Sequence, residues 1–358
     1  LYSSVKKKSK SKFLKLLISF FVVVVLCIFF IANHFHKKIF QPNISINSSN
    51  SGVFVEIPTG SDFDDVIEIL SEKGILVNYN SFKWVSDKKN YIYNVKPGRY
   101  FIENSISNNK LVNILRSGRQ KVVKLTFNNV RTVNDLAGVI SKKIEADSSS
   151  IVREVMNPVF LKKLDLTRDK VGCIFIPNTY EFYWNTSARD FVERMLIEYK
   201  KFWSQKSRKN KADRLGLNWY EISVLASIVE KEQNIKYDER PKIAGLYLNR
   251  LEKKMKLESD PTLIFAIGDF DIKRVLNKDK KIDSPYNTYL NQGLPPGPIC
   301  IPSINSIDAV LNHENHGYIF MCAKEDFSGY HNFSYDYSTH LVNARKYQRA
   351  LNKKKILR

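Results

Sequence analysis

Leu16 to Ala32 is an unbroken apolar run, LLISFFVVVVLCIFFIA, without one charged residue. With Phe13 and Leu14 it approaches the roughly 20 residues that a helix needs to cross a bilayer. Backbone in hydrocarbon must satisfy its own hydrogen bonds, so the segment is expected to be helical. A cleaved signal peptide would show a shorter apolar core followed by a small-residue cleavage site. Asn33-His-Phe-His-Lys-Lys38 follows instead, which favours a retained signal anchor. Lys6, Lys7, Lys8, Lys10, Lys12 and Lys15 precede the span, and only Lys37 and Lys38 closely follow it. The positive-inside rule then places the N-terminus in the cytoplasm and the chain from about residue 38 outside. The chain opens on Leu1 rather than Met, so either a few residues precede it or the start codon is unusual.

Beyond the anchor, 358 residues leave room for two or three compact domains, and 43% hydrophobic and 12% aromatic content supply their cores. The formal net charge of +21 suits any polyanion, whether nucleic acid, anionic lipid or a carboxylate-bearing wall polymer. Zinc-finger spacing and RNA-recognition signatures are absent from the sequence, so a nucleic-acid partner is not expected. Cys27, Cys173, Cys300 and Cys322 form neither a CxxC pair nor a metal spacing. Cys27 lies in the span, and three remaining thiols leave one odd, so buried structural cysteines are expected. Neither a metal nor a cofactor is implied.

The polar stretch Asn43 to Ser51 reads as a flexible tether. Val53 to Ile57 alternates as a strand. Ser61 is expected to cap a helix with Phe63, Val66, Ile67 and Leu70 inward, closed by Gly74. A second helix over Ser81–Lys88 and a strand over Arg99–Ile102, after the Pro97-Gly98 turn, complete a β-α-α-β order. That order resembles the LysM module, a small fold that binds N-acetylglucosamine-containing chains; a plain structural spacer has the same pattern. Leu111–Ser117 and Val133–Lys143 read as helices and Lys121–Phe127 as a strand, and this second half repeats the first at most loosely.

The densest information lies beyond residue 172. Trp219 to Gln233 reads as an amphipathic helix in which Ile222, Leu225, Ile228 and Val229 recur at helical spacing. Glu232 stands three, four and seven residues after Val229, Ile228 and Leu225, on the same face, whereas Glu230 points roughly 160° away. A carboxylate on a buried face is costly unless used or paired. Desolvation would raise its pKa and make it a general acid; pairing with a nearby lysine at the rim is the plain alternative. Around it stand Ile176-Pro-Asn-Thr-Tyr-Glu-Phe182, Ala244 to Leu251 and Leu257-Glu-Ser-Asp-Pro-Thr262. Ser284 to Tyr289, the stiff Gly293 to Ile299 loop suited to walling a groove, and Gly329 to Ser334 follow. Asp260 before Pro261 is either a helix cap or a site residue. Tyr180, Tyr286, Tyr289 and Tyr330 could stack on sugar faces or simply pack.

In this order the motifs resemble the YceG-like family of endolytic murein transglycosylases, across nearly the whole chain. The resemblance implies an α+β protein. Its parts are a basic tail (1–12), a transmembrane helix (13–32), a linker (33–51), a LysM-like module (52–120), a mixed linking region (121–205) and a largely helical catalytic domain (206–358). It implies a single-pass bacterial plasma-membrane enzyme with its catalytic domain outside. Such an enzyme would cut the β-1,4 bond between N-acetylmuramic acid and N-acetylglucosamine, leave 1,6-anhydro ends and terminate nascent strands near peptidoglycan synthases. The second Glu of the family's Glu-Lys-Glu motif falls on Glu232. Where the family commonly continues with Thr, this chain has Gln233, which puts the orientation of the carboxylate in doubt. Asn249, Asp260, Asn287, Tyr289 and His331 are the expected substrate-binding shell. His331 has no partner at metal-ligand spacing. Asp260 and Glu181 are the candidates for a second carboxylate, which would favour a water-using muramidase; a non-catalytic wall-binding scaffold is the third reading.

Overall fold

The computed structural model describes residues 3–46, 51–272 and 274–354. Leu1 and Tyr2 of the basic tail, residues 47–50 of the expected tether and residues 355–358 lie outside the described residues. The chain divides into two compact units, one of residues 1–123 with 183–185, the other of residues 124–182 with 186–358.

The first unit begins with helix α1 (Ser3–Phe40). It contains a segment long and apolar enough to cross a membrane. At about 1.5 Å per residue the helix outruns the apolar run by two turns and enters the module, where Phe35 stacks on Trp84 with centroids 5.2 Å apart. Strand β1 (Gly52–Ile57), helices α2 (Phe63–Glu72) and α3 (Tyr79–Lys88), and strand β2 (Gly98–Glu103) give the β-α-α-β order. The strands pair antiparallel, Gly52 opposite Glu103 and Ile57 opposite Gly98. Val55, Val66, Phe82, Tyr100 and Ile102 close one core, to which α4 (Asn108–Ser117) adds Leu111 and Leu115. The cap of α2 is Asp62 in a reciprocal capping box, not Ser61.

The tether reading fails at its start. Asn43 and Ile44 are buried. The Asn43 amide donates to Asn78 O (2.9 Å) and Asn108 Oδ1 (2.6 Å) and accepts from Asn78 N (2.7 Å). A fully bonded amide can be buried at little cost, so a polar residue that looks solvated in the sequence is here a core strut.

Strand β3 (Val123–Phe127), which enters the second unit at Lys124, pairs with β4 (Asn178–Phe182), and helices α5 (Val133–Ile140), α6 (Ser148–Val155) and α7 (Pro158–Lys163) come between them in the chain. Helices α8 (Ala188–Ser204) and α9 (Arg208–Leu215) lead to α10 (Trp219–Glu232), followed by α11 (Arg240–Glu252), α12 (Asp260–Ile267) and α13 (Ile304–Leu311). An antiparallel hairpin, β5 (Phe320–Ala323) with β6 (His331–Ser334), precedes the last helix α14 (Tyr337–Lys353).

Helix α10 is not amphipathic in the ordinary sense: every residue from Ile222 to Glu230 is buried. It is a central helix, enclosed on all sides as such helices are. Gly245 lets the segment after α13 pass close to α11, because a Cβ there would stand 2.3 Å from Glu314 O. The Pro-Pro-Gly loop is largely packed in, and its Pro298 also lines a cavity. Pro295, Gly297 and Pro298 are buried, and a Cβ on Gly297 would meet Asp169 O at 2.1 Å. Pro298 helps line a cavity of about 190 Å³ with Arg131, Phe265 and Tyr286; Glu232, Asn249, Asp260, Asn287, Tyr289 and His331 do not line it.

Candidate active site

Glu232 is the last residue of α10. A carboxylate at the negative end of a helix is electrostatically disfavoured, so this position already raises its affinity for a proton. Its Oε1 accepts from Tyr247 OH of α11 (2.6 Å) and from Ser259 Oγ, just before α12 (2.5 Å). Oε2 has no hydrogen-bond partner among the described residues, and Glu232 keeps part of its surface exposed. It makes no ion pair with a lysine among the described residues; its neighbour Lys231 bonds Asn129 Oδ1 instead (3.1 Å). Burial pushes the Glu232 carboxyl above the ordinary glutamate range. The Ser259 and Tyr247 hydroxyls oppose this, the Asp260 charge adds to it, and His331 opposes it. Burial, reinforced by the Glu232 charge, keeps Tyr247 protonated and therefore a donor.

Two dipeptides frame the carboxyl. Ser259 N donates to Thr288 Oγ1 (3.0 Å), and Tyr289 OH donates to Asp260 Oδ1 (2.6 Å). Ser259-Asp260 and Thr288-Tyr289 are thus tied side by side, one pair by a backbone N–H to a side-chain hydroxyl and the other between side chains. Asp260 is exposed and is the first helical residue of α12, with Ser259 at the cap position but its hydroxyl committed to Glu232. The Asp260 side chain is therefore not the cap. Burial and the Asp260 charge push the Tyr289 phenol up, which keeps it a donor to that carboxylate.

His331, at the start of β6, donates its backbone N–H to Glu239 Oε1 (2.9 Å) and places Nδ1 2.7 Å from Glu239 Oε2. Burial alone would raise the Glu239 carboxyl, but these bonds outweigh it and hold it below its usual range. Gln233, the residue that departs from the family pattern, is buried. It donates to Glu239 Oε2 (2.7 Å) and Gly329 O (2.9 Å) and accepts from Lys236 N (2.9 Å). It touches the site through the Glu239–His331 pair rather than through the Glu232 carboxyl itself.

Of the residues expected in the shell, Asp260, Tyr289 and His331 gather electrostatically around Glu232. Asn249 and Asn287 do other work. Asn249 Nδ2 donates to His316 O (2.7 Å) and Tyr318 O (3.0 Å). Asn287 is fully buried and bonds Lys280 O (3.1 Å), Ile282 O (2.8 Å) and Tyr289 N (2.9 Å). Both side chains fold loops. Tyr180 OH bonds Ile176 O and its ring packs on Phe127; Tyr286 packs on Phe265. Tyr247, Ser259 and Glu239 were not expected from the sequence, although Ser259 is adjacent to Asp260. Glu230 is buried too, but it receives Ser303 N and Ser306 Oγ, both at 2.7 Å, at the start of α13, a structural task apart from Glu232.

Comparison with known proteins adds an independent line. The model of the YceG-like family matches residues 55–346. The endolytic murein transglycosylase of Bacillus subtilis (strain 168) is 28% identical over 298 residues, which cover 78% of this chain and 80% of that protein. The endolytic murein transglycosylase of Streptococcus pneumoniae serotype 2 is 28% identical over 306 residues, 77% of this chain. The match spans only 55% of that longer relative. A 2.6 Å crystal structure of a putative YceG-like protein from Listeria monocytogenes superposes with a TM-score of 0.54 at 27% identity, covering 82% of this chain and 99% of the other.

Proposed function

This chain belongs to the YceG-like family, and from that premise we propose that it is a membrane-anchored endolytic lytic transglycosylase of peptidoglycan. The observation that carries the proposal is Glu232: a carboxyl with raised proton affinity, one oxygen fixed by Tyr247 and Ser259, the other unengaged. In the first step the proton leaves Oε2 for the glycosidic oxygen as the bond from the muramyl C1 breaks. In the second, the carboxylate takes the proton of the muramyl C6 hydroxyl as its oxygen bonds to C1, closing a 1,6-anhydro ring. Water is not consumed, and the one carboxyl returns to its starting state. The positive-inside asymmetry supports a cytoplasmic N-terminus and an extracytoplasmic site. The β-α-α-β order of residues 52–103 supports a LysM-like role for the module. Termination of nascent strands beside peptidoglycan synthases belongs to the same reading.

Asp260 supports a second reading. Hydrolytic glycosidases use two carboxyl groups, and the Asp260 charge acts on Glu232. Mass spectrometry of products from uncrosslinked glycan strands decides between them. Anhydro ends, lighter by one water, are expected, and Glu232→Gln should abolish their release. Reducing ends would establish the muramidase, and full activity of the Gln variant would remove Glu232 from the chemistry.

A further inference from the structure

The cavity of about 190 Å³ in the second unit plays no part in the chemistry at Glu232, and Arg131, Arg168, Asp169, Phe265, Tyr286 and Pro298 are among the residues that line it. Pockets for whole small ligands run to about 300–1,000 Å³, so this one takes a group of a few heavy atoms rather than a disaccharide. Its lining carries charge of both signs. The Arg131 guanidinium lies over the Phe270 ring, 3.6 Å from the centroid. Stacking of that kind fixes the guanidinium plane and leaves its N–H edge for a carboxylate. Neither Arg131 nor Arg168 has an ion-pair or side-chain hydrogen-bond partner among the described residues. Asp169 accepts from Tyr286 OH through Oδ1 (3.3 Å), and its Oδ2 is unengaged among the described residues. Opposite charges that line one cavity without pairing leave room for a group that bears both. Phe265 and Tyr286, with ring centroids 4.8 Å apart, supply an apolar side beside them.

The cavity is joined to the acid by two helices. Phe265 follows Asp260 by five residues on α12. Cys300, also in the lining, places Sγ 3.7 Å from Ser227 O, and Ser227 precedes Glu232 by five residues on α10. Five residues of helix rise about 7.5 Å. An extended peptide of three residues reaches about 10 Å, so a short peptide on a sugar held at Glu232 is long enough to enter. We propose that the cavity takes a free amino-acid end, an ammonium and a carboxylate on one carbon, carried by the peptide stem of the strand being cut. Its carboxylate meets Arg131 and Arg168, its ammonium meets Asp169, and its methylene chain lies against Phe265. The assignment to a stem rests on the peptidoglycan reading above; the demand for a group of both charges comes from the lining itself. The cavity then selects strands by their peptides, a choice that the carboxyl chemistry at Glu232 cannot make.

The test is phenylglyoxal footprinting of arginines in the full chain in detergent, read by mass spectrometry. The stem tripeptide alanyl-γ-glutamyl-diaminopimelate, whose side chain ends in a free amino-acid group, should protect Arg131 and Arg168 at least threefold. Protection should be lost in Asp169→Asn and kept in Asp169→Glu, with unchanged melting temperatures. The same tripeptide with its side-chain carboxyl amidated, or with lysine in third place, should not protect. Absence of protection by the first peptide overturns the proposal, as does equal protection by either control, by inorganic phosphate or by free diaminopimelate. In cleavage, diaminopimelate-stemmed strands should exceed lysine-stemmed ones at least fivefold in kcat/KM, and Arg168→Gln should bring that ratio to about one; an unmoved ratio also overturns the proposal. Protection in a chain that cuts no strands would keep this site and defeat the catalytic reading; cleavage without protection would do the reverse.

Discussion

Replacing Asn287 by alanine separates a ligand-binding residue from a loop organiser. The side chain has no exposed surface and makes three neutral hydrogen bonds, to Lys280 O, Ile282 O and Tyr289 N. Each is worth about 0.5–1.5 kcal/mol net, and the partly buried carbonyls left without a donor add to the loss, so about 2–4 kcal/mol of stability should go. For a domain of 150–250 residues about 1 kcal/mol moves the melting temperature by 2–4 °C, which gives a fall of roughly 5–15 °C. Thermal melting followed by circular dichroism reads this directly. Tyr289 loses the bond that fixes its backbone, and its hydroxyl orients Asp260. The surviving activity, measured well below the melting temperature on glycan strands, should therefore fall in kcat more than it rises in KM. An unaltered melting temperature with a raised KM would refute the reasoning and return Asn287 to the substrate.

Three further outcomes follow from the charges of the site. The folded protein holds the Glu232 pKa above its unfolded value, so stability is lost as pH rises through the folded pKa. Glu232→Gln should therefore melt higher than wild type at pH 8 and converge with it below about pH 4; a lower melting point at pH 8 would contradict this. Asp260→Asn removes a charge that raises Glu232, so the basic limb of the pH–rate profile should move to lower pH, and an unmoved limb would detach Asp260 from the acid. Glu239 is held below its usual pKa by His331, so it stabilises the fold above the unfolded pKa and the benefit fades as pH falls through the folded one. Glu239→Gln should cost about 1.5–3 kcal/mol near neutrality and flatten the acid side of a melting-temperature profile; an unchanged profile would deny the pair any stabilising role.

The helix that carries Glu232 was legible because helical periodicity is local, depending on fifteen consecutive residues alone, but the contrast it drew between a buried Glu232 face and a Glu230 face was not, since α10 is buried from Ile222 to Glu230. The βααβ order was legible for the same reason, apart from one cap. Polar residues were harder to read. Asn43, Asn249 and Asn287 each spend their amide donors on backbone or amide partners, and a side chain folded onto loop carbonyls has the same sequence as one that faces a ligand. Tyr247 and Ser259 were hidden for another reason. Their hydroxyls reach Glu232 from 15 and 27 residues away, and only the packing of α11 and the start of α12 against the end of α10 brings them there. The completeness of burial around α10 was hidden too, since Ser223, Ser227 and Glu230 read as a polar face until their partners are placed.

A carboxyl that must give a proton and then take one back works best with an intermediate proton affinity. The surroundings of Glu232 act in both directions. Burial and the Asp260 charge favour the protonated acid, while Ser259, Tyr247 and His331 favour the carboxylate. Burial alone would leave an acid slow to part with its proton; the two hydroxyls alone would leave a carboxylate that seldom holds one. Both hydroxyls fall on Oε1, so they restrain the carboxyl and leave Oε2, the oxygen assigned to the substrate in the proposed mechanism, unoccupied. Because Asp260 is itself held through one oxygen by Tyr289, its charge stands at a fixed place beside the acid. On the transglycosylase reading proposed above, Asp260 needs no nucleophilic or water-activating role: its negative charge raises the Glu232 pKa and would also counter the positive charge that develops at the sugar.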